Sequence, residues 1–421
     1  MYILDKINSF IWGNGLVFLL LFTGVVYTIR LKFVQFRLLP FVFRRRSSHN
    51  NGISQFGTVS MSLGTAMGTG NITGVAAALS IGGAGAVFWM WVSAFLGMAI
   101  VYAENSLSVT FGSRDSKGTF GYLKNGLHSP FLAAVFAVSC IFAAFGMGGM
   151  VQVNSFAESF SSCTGKVSCL MAVSAFCLIF AVVSGGAKRI GAAAQFLLPT
   201  AAIIYSLACF AVIIKFRSNI PGAFSSVFSQ AFGIRQVAGG ASGIAVSEAV
   251  STGIRRGIFS NEAGLGSSPV LHSAAESDEP HIQGMWASFE VFADTIVCCT
   301  LTALTLLVST DDFSVTGCFS AVFGSYSSVF ITAEMAVFAF CTVIGWYYCG
   351  ECAFRYLTKA ENTRIFSAFF AAIASSGVFL PTEAVWILSD IFNGIMAFPN
   401  LLGLLLLKNY VVLNKSSENS Q

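Results

Sequence analysis

The sequence predicts an all-α integral membrane protein with about eleven transmembrane helices, and three observations support this fold class. The chain has 421 residues, of which 55% are hydrophobic and 10% are charged, whereas soluble domains carry about 25% charged residues. The mean hydropathy is +0.75, and a soluble domain of that composition would expose large apolar patches. Apolar runs also follow one another with gaps too short to hold a soluble domain.

Eleven segments reach the length of about 20 apolar residues that a helix needs to cross a bilayer. The first follows Asp5 and Lys6 and lacks a small-residue cleavage site, so we expect a retained helix rather than a signal peptide. The predicted spans cover residues 11–29, 53–82, 86–110, 131–160, 167–184, 190–214, 238–275, 284–309, 328–357, 364–380 and 383–407.

The second and seventh spans are interrupted by glycines and hydrogen-bonding side chains. The interruptions cover residues 64–71 and 260–267. Backbone polar groups in hydrocarbon must be satisfied by the protein, so such breaks persist only where the protein encloses a cavity. A matched pair of interrupted spans indicates the binding site of a secondary transporter. We therefore interpret the chain as a transporter.

The distribution of Lys and Arg predicts the orientation. One alternating set of connections holds 16 of these residues and the opposite set holds 5, and positive charge collects on the cytoplasmic side. We expect a multi-pass protein of the cytoplasmic (inner) membrane with its N-terminus outside and its C-terminus inside. Segment 30–46 is predicted to be an amphipathic stretch on the inner surface. Its basic run, Arg44 to Arg46, flanks a membrane segment and so does not indicate a nucleic-acid partner.

A membrane-embedded enzyme and a channel are the competing classes. An enzyme would need clustered catalytic or metal-ligating side chains, whereas His49, His128, His272 and His281 are scattered. A channel would need a selectivity loop repeated around an axis rather than one pair of broken helices. The eleven cysteines fall mostly in apolar runs, where free thiols behave as small hydrophobic groups. We expect no cofactor.

Motifs along essentially the whole chain resemble those of the alanine or glycine:cation symporter family. They lie at 64–75, 82–91, 150–155, 186–191, 256–267, 283–284, 294–295, 345–351 and 399–400. Two features depart from the family pattern. The loop 112–126 is short and lacks the usual Gly-Gly-Pro-Met-Tyr-Tyr element, and Cys349 stands where the family typically has an aromatic residue.

The resemblance implies a LeuT-like fold, with two inverted five-helix repeats, discontinuous helices and one extra N-terminal helix. Family members import small neutral amino acids, chiefly alanine and glycine, together with sodium or protons. The predicted function is therefore such import by sodium symport, and the alternative is a proton-coupled carrier of another small zwitterion. The implied units are the extra helix 1–29, a cytoplasmic amphipathic connector 30–52, repeats 53–214 and 238–407, and a cytoplasmic tail 408–421.

The first break provides candidate ligands for the substrate carboxylate. Backbone N–H groups of Gly68, Thr69, Gly70 and Asn71 would lie at the N-terminus of a half-helix, where the helix dipole favours an anion. Glycine would allow the carboxylate to approach the backbone closely. The alternative is a glycine packing face between helices, which leaves Thr69 and Asn71 unexplained.

Other residues are predicted to complete the substrate site. We expect the second break to unwind near Gly257, Ile258 and Phe259, whose carbonyls would accept hydrogen bonds from the substrate ammonium. Gln152 would bind the substrate through its buried amide, and the alternative is a hydrogen bond between helices. Trp346 lies midway through its span, and we expect it to wall the side-chain pocket and limit substrate size.

A sodium site is predicted beside the first break. The resemblance implies a hydroxyl from the ninth span together with carbonyls of the first broken helix. Sodium is a hard cation that takes oxygen ligands, so the predicted set is Thr65 and Thr342 with carbonyls near Ala66 and Gly68. Asp294 is a further candidate for ion coupling or gating, with a buried hydrogen-bond network as the alternative.

Charged residues near the second break are candidates for gate ion pairs. Charges within a membrane are unfavourable unless they are paired or solvated. Arg255 or Arg256 would pair with Glu262 or Glu248. The alternative is that the two arginines mark a helix end in a water-filled vestibule.

Overall fold

A computed structural model describes residues 2–44, 55–113, 116–165, 169–233, 242–274, 279–310 and 312–413. Within these residues the chain is helical apart from turns and an isolated bridge between Ser113 and Ser116. Seven of the described helices are long and apolar enough to cross a membrane. The other four predicted spans, the second, fifth, seventh and tenth, fall on shorter or interrupted helices, so the count of eleven stays a prediction.

The helices of the first half are α1 Tyr2–Ile11, α2 Asn14–Arg30, α3 Leu38–Arg44, α4 Gln55–Ala66, α5 Thr73–Gly82, α6 Gly85–Phe111, α7 Thr119–Gly121, α8 Pro130–Ala143, α9 Val151–Thr164, α10 Cys169–Val183, α11 Gly186–Lys215 and α12 Ile220–Ala231. Those of the second half are α13 Ser242–Asn261, α14 Ser267–His272, α15 Pro280–Val291, α16 Thr300–Ser309, α17 Val315–Phe323, α18 Ser327–Thr358, α19 Arg364–Ser376 and α20 Thr382–Leu406.

Both predicted interruptions are confirmed. The first separates α4 from α5 and contains a single 3₁₀ turn, Thr69–Asn71. The second separates α13 from α14. The expected unwinding at Gly257, Ile258 and Phe259 is wrong, because the Ile258 carbonyl accepts a helical hydrogen bond from the Glu262 N–H at 2.8 Å.

Gly257 has a packing role instead of marking the break. A Cβ atom at this position would lie 2.1 Å from Oγ of Ser93 and 3.4 Å from Cα of Met90 on α6. The glycine therefore lets α13 lie directly against α6, and the helix continues to Asn261.

The helices around the two breaks position the candidate residues. Helix α13 packs along α5 and α6, and α18 packs against α4, α8 and α9. Two π-helical segments face this region, Ala144–Met150 before Gln152 and Phe292–Cys299 around Asp294. Such segments are frequent at functional sites.

The structure describes residues 30–44 of the predicted amphipathic connector. A 3₁₀ turn, Val34–Arg37, leads into α3, with Val34 and Leu38 buried and Phe36 and Phe43 exposed. Residues 45–54 and the tail beyond 413 lie outside the described residues. All eleven cysteines are free thiols.

Candidate functional site

The first break is held by an amide from the neighbouring helix α9. Both the N–H and Oγ1 of Thr69 donate to Oε1 of Gln152, at 3.1 and 2.9 Å. The Gln152 Nε2 in turn donates to the Met147 carbonyl at 3.1 Å. The structure thus brings together two predicted substrate ligands, and Gln152 occupies the donors that a carboxylate would use.

Gly68 is required by close packing. A Cβ atom there would lie 2.5 Å from Oγ1 of Thr342 and 3.0 Å from Oε1 of Gln152. Its φ of −109° is open to any residue, so its surroundings rather than its backbone conformation demand glycine. Gly70 similarly faces Phe259, whose ring carbons would lie 3.3 Å from a Cβ atom.

Oxygen atoms gather where α4 ends against α18. Thr342 Oγ1 donates to the Gly64 carbonyl at 3.0 Å, and the Ala66 carbonyl accepts from the Gly68 N–H at 2.8 Å. Thr65 lies at the same contact, because a Cβ atom at Gly345 of α18 would come within 1.9 Å of its Oγ1. The C-terminal end of a helix favours cations. The predicted sodium ligands are therefore neighbours, and sequence reasoning missed the Gly64 carbonyl among them.

Asp294 joins the first break to the end of α13. Its Oδ1 accepts from Asn71 Nδ2 at 2.6 Å. Its Oδ2 accepts from Oγ of Ser260 and Oγ1 of Thr295, each at 2.7 Å. All four residues are buried, and Asn71 Oδ1 has no protein partner. This cluster of carboxylate, amide and hydroxyl oxygens has the chemistry of a hard-cation site.

Ser260 and Thr295 were missed as candidate residues. Each carries a weak signal in the sequence, since Ser260 opens the second interruption and Thr295 follows Asp294 directly. What the sequence does not show is that these positions meet Asn71.

Glu262 in the second break is bonded to neutral side chains. Its Oε1 accepts from Nε1 of Trp346 at 2.9 Å and its Oε2 from Oγ of Ser267 at 2.5 Å. The expected ion pair of Arg255 or Arg256 with Glu262 is wrong, because among the described side chains no ion pair joins either arginine to this carboxylate. Trp346 is buried against this break.

Arg255 and Arg256 line a cavity together with Glu248 and Asp390. The Arg256 guanidinium lies 4.5 Å from the ring centre of Trp386. Both arginines interact electrostatically with Asp390, and among the described side chains no ion pair joins either of them to Glu248. The expected ion pair with Glu248 is therefore wrong, and sequence reasoning missed Asp390 of α20, which interacts electrostatically with both arginines without forming an ion pair among the described side chains.

The cavity leads from the surface to the second break. It has a volume of about 550 Å³ and extends from exposed Glu248 to Phe259 and to Leu265 in the second break. Ligand pockets typically measure about 300–1,000 Å³. The cavity opens beside the start of α13, on the side predicted to be extracellular.

The opposite side of the second break is closed. Asn400 Nδ2 donates to Glu104 Oε1 at 2.6 Å and to the Gly264 carbonyl at 2.8 Å. Thr119 Oγ1 donates to the Gly266 carbonyl at 2.6 Å, and the Tyr122 hydroxyl donates to Asn400 Oδ1. The short loop 112–126 thus contributes directly to closure. The second break is thus open to one side of the molecule and closed toward the other.

The sequence profile of the sodium:alanine symporter family matches residues 1–418. The chain belongs to this family. It is 36% identical to the sodium/alanine symporter AgcS of Methanococcus maripaludis over 99% of this chain and 97% of that protein. It is 36% identical to an uncharacterized transporter of Haemophilus influenzae, over 97% and 94% of the two chains. It is 34% identical to the "Probable sodium/glutamine symporter GlnT" of Bacillus subtilis, over 97% and 89%.

Family membership fixes the class of this symporter. It is a multi-pass membrane transporter and not an enzyme.

Proposed function

We propose that this symporter imports small neutral amino acids, alanine and glycine, with sodium across the cytoplasmic membrane. The observation that carries the proposal is the one-sided access to the second break. A cavity of about 550 Å³ reaches Phe259 and Leu265, while Asn400 and Thr119 seal the other side. Alternating access requires a site that can be open to one side only. The names of the relatives AgcS and GlnT support sodium coupling and amino-acid transport.

The first break would bind the substrate's charged ends. A carboxylate can replace Gln152 Oε1 as the acceptor for Thr69 N–H and Oγ1, and the released Gln152 amide can then bond to the substrate. Phe259 packs over Gly70 and leaves little space for a large side chain. These contacts favour a small amino acid.

Sodium would bind at oxygen clusters that share the first break with the substrate. One cluster is the end of α4 with Thr342, and the other surrounds Asp294. Gly68 belongs to the first cluster and Asn71 to the second. An ion bound at either cluster orders the segment that holds the substrate, and this supplies a physical basis for coupling.

We also propose the arrangement of the repeats and the orientation of the termini. Each broken helix is followed by a long apolar helical segment, 85–111 in the first half and 280–309 in the second. This order supports a LeuT-like arrangement of inverted repeats within eleven spans. Lys and Arg counts of 16 and 5 support an external N-terminus and an internal C-terminus.

Gradient-driven uptake in liposomes tests the function. Purified protein is reconstituted, and uptake of labelled alanine, glycine and glutamine is followed under an inward sodium gradient. We expect accumulation of alanine and glycine above the outside concentration, and none under a matched potassium gradient. Accumulation driven by an inward proton gradient without sodium would instead assign a proton-coupled carrier. Equilibration without accumulation under either gradient would reject symport.

A further inference from the structure

A buried histidine–glutamate pair lies on the sealed side, apart from the substrate and ion clusters. His272 Nε2 is 2.9 Å from Glu290 Oε1, and His272 Nδ1 is 2.8 Å from Gln283 Oε1. The second carboxylate oxygen of Glu290 accepts from Ser62 Oγ at 2.6 Å. All four side chains are buried. We call Ser62, His272, Gln283 and Glu290 the inner clasp.

The inner clasp connects both broken helices to one neighbour. Ser62 belongs to α4, before the first break, and His272 ends α14, after the second break. Glu290 and Gln283 lie on α15. The two half-helices on the sealed side are thus fastened by one continuous set of hydrogen bonds. Opening toward this side requires these half-helices to move, because both break walls are built on them.

The neighbours of His272 in the inner clasp suit a bound proton. His272 faces an acceptor at each ring nitrogen, and a histidine that donates from both nitrogens is a cation. A buried carboxylate without a counter-charge is unfavourable in a membrane, whereas an imidazolium–carboxylate pair is neutral overall.

We propose that the inner clasp is a proton-binding site whose proton, shared by His272 and Glu290, holds the sealed side closed. Loss of the proton leaves the Glu290 carboxylate uncompensated, so the buried contact is weakened and opening toward the sealed side is favoured. The proton stabilises the closed contact at low pH, and that stabilisation is lost as pH rises. The proposal does not depend on which amino acid or coupling ion is carried.

On the helices that pack against the inner clasp, most of the other titratable groups have interactions of their own or are uncharged thiols and phenols. Helices α4 and α7 contribute none, and the one charged residue of α3, Arg44, is not among the described side chains. Asp294 is held by Asn71 and Ser260. The remaining groups are Tyr102 with His281, Glu104 with Asn400, Glu262 with Trp346, Tyr347 with Ser367, Glu351 with Arg355, the thiols Cys298, Cys299, Cys341, Cys349 and Cys352, the phenols Tyr348 and Tyr356, and Glu334 near the start of α18.

Nitrogen-15 NMR of labelled histidine measures the proton directly. In lipid nanodiscs at neutral pH we expect His272, assigned by its disappearance in His272→Gln, to show two protonated ring nitrogens. In Glu290→Gln, where the hydrogen-bonding shape is kept and the charge is removed, the same ring should become neutral. A neutral His272 ring in the wild type throughout the range from about pH 6 to pH 8 would overturn the proposal.

Labelling of native Cys349 measures the closure. Its Sγ lies 4.0 Å from the Ser267 carbonyl at the start of α14 and is buried, so a thiol reagent reaches it only when the sealed side opens. The probe is a variant with Cys349 as its single cysteine, and each rate is divided by that of the unfolded protein at the same pH. We expect the wild-type ratio to rise with pH above neutral by up to about tenfold per pH unit, the limit for release of one proton.

His272→Gln and Glu290→Gln should give ratios that do not change with pH. His281→Gln is the matched control, since it removes another histidine of α15, one that bonds to the Tyr102 hydroxyl, and it should keep the wild-type dependence. A pH dependence equal to the wild type in His272→Gln would show that the pair is merely a structural contact. Neither measurement uses amino-acid uptake, so failure here is distinct from failure of the proposed function.

Discussion

The two helix breaks have opposite constructions. The second break turns through left-handed backbone at Glu262, Gly264 and Gly266, with φ of 56°, 84° and 81°. The described first break, 67–72, contains no left-handed residue, and its glycines are dictated by neighbours such as Thr342. In the second break the backbone conformation calls for glycine. In the first break the packing of neighbouring side chains calls for it.

The hydrogen-bond partners of the two breaks also differ. In the first, Thr69 and Asn71 bond to the flexible side chains of Gln152 and Asp294, which a ligand can displace or share. In the second, the carbonyls of Gly264 and Gly266 are held by Asn400 and Thr119 on the sealed side. We propose from this contrast that the first break recognises the substrate and that the second closes the site.

The largest expected effect is that of a methyl group in the first break. Gly68→Ala places a Cβ atom 2.5 Å from Thr342 Oγ1, and overpacking of this kind costs about 1–3 kcal/mol or more. Since each 1.36 kcal/mol is a factor of ten, we expect alanine uptake to fall by up to about 100-fold. Gly74→Ala in α5 is the control, because nothing lies within 4 Å of the new atom. Equal uptake by the two variants would contradict a recognition role for Gly68.

The next effect concerns the ion. Asp294→Asn removes the charge shared by Asn71, Ser260 and Thr295 while keeping the side-chain shape. We expect the sodium concentration for half-maximal uptake to rise about tenfold, the equivalent of about 1.4 kcal/mol of binding free energy. Asp312→Asn at an exposed loop position is the control.

Thr342→Ala separates the two oxygen clusters at the first break. It removes the hydroxyl that bonds to Gly64 and leaves Asp294 unchanged. A larger sodium shift in Thr342→Ala than in Asp294→Asn would place the main ion site at the end of α4. No shift in either variant, with uptake intact, would exclude both clusters.

The sequence predicted the breaks but not their surroundings. Glycine and hydroxyl residues in apolar runs located both interruptions, because few other positions combine them. The same signal misled at Gly257, where a glycine serves contact with Ser93. Three contacts were not predictable: Asp390 near the two arginines, Ser260 with Asp294, and Glu290 with His272. The sequence shows which polar residues lie in the membrane but not which of them contact each other. Asn71 and Asp294 are 223 residues apart in the chain.

A substitution in the second break should lower the unfolding temperature. In Gly266→Ala the new alanine has to adopt a left-handed backbone conformation, which lowers the free energy of unfolding by about 1–2 kcal/mol. Its Cβ atom would also lie 2.9 Å from the ring of Phe136. We expect a lower unfolding temperature with an unchanged sodium requirement for the remaining uptake. Gly165→Ala has a similar φ of 74° with nothing within 4 Å, so it reports conformational strain alone. An equal loss of stability in both variants would mean that packing at the second break adds nothing.

The smallest expected effect is a change of substrate size range at Trp346. This ring bonds to Glu262 in the second break and packs on Gly148, where a Cβ atom would lie 2.1 Å from Trp346 Cβ. A methyl group that fits adds only about 0.8 kcal/mol by burial, so exclusion of larger amino acids has to be steric. Trp346→Leu should let valine and methionine compete severalfold better with labelled alanine, while alanine itself binds more weakly because of the cavity left behind.

Trp346→Phe separates the volume of this ring from its hydrogen bond. It removes the Nε1 donor to Glu262 but keeps a large ring, so it should still exclude valine and methionine. Competition profiles are measured for all three forms under the same sodium gradient. If Trp346→Leu transports alanine with the wild-type profile, the size limit belongs to Phe259, whose ring carbons approach Gly70 from the open cavity. Substrate selection would then lie wholly at the first break, and the second break would serve closure alone.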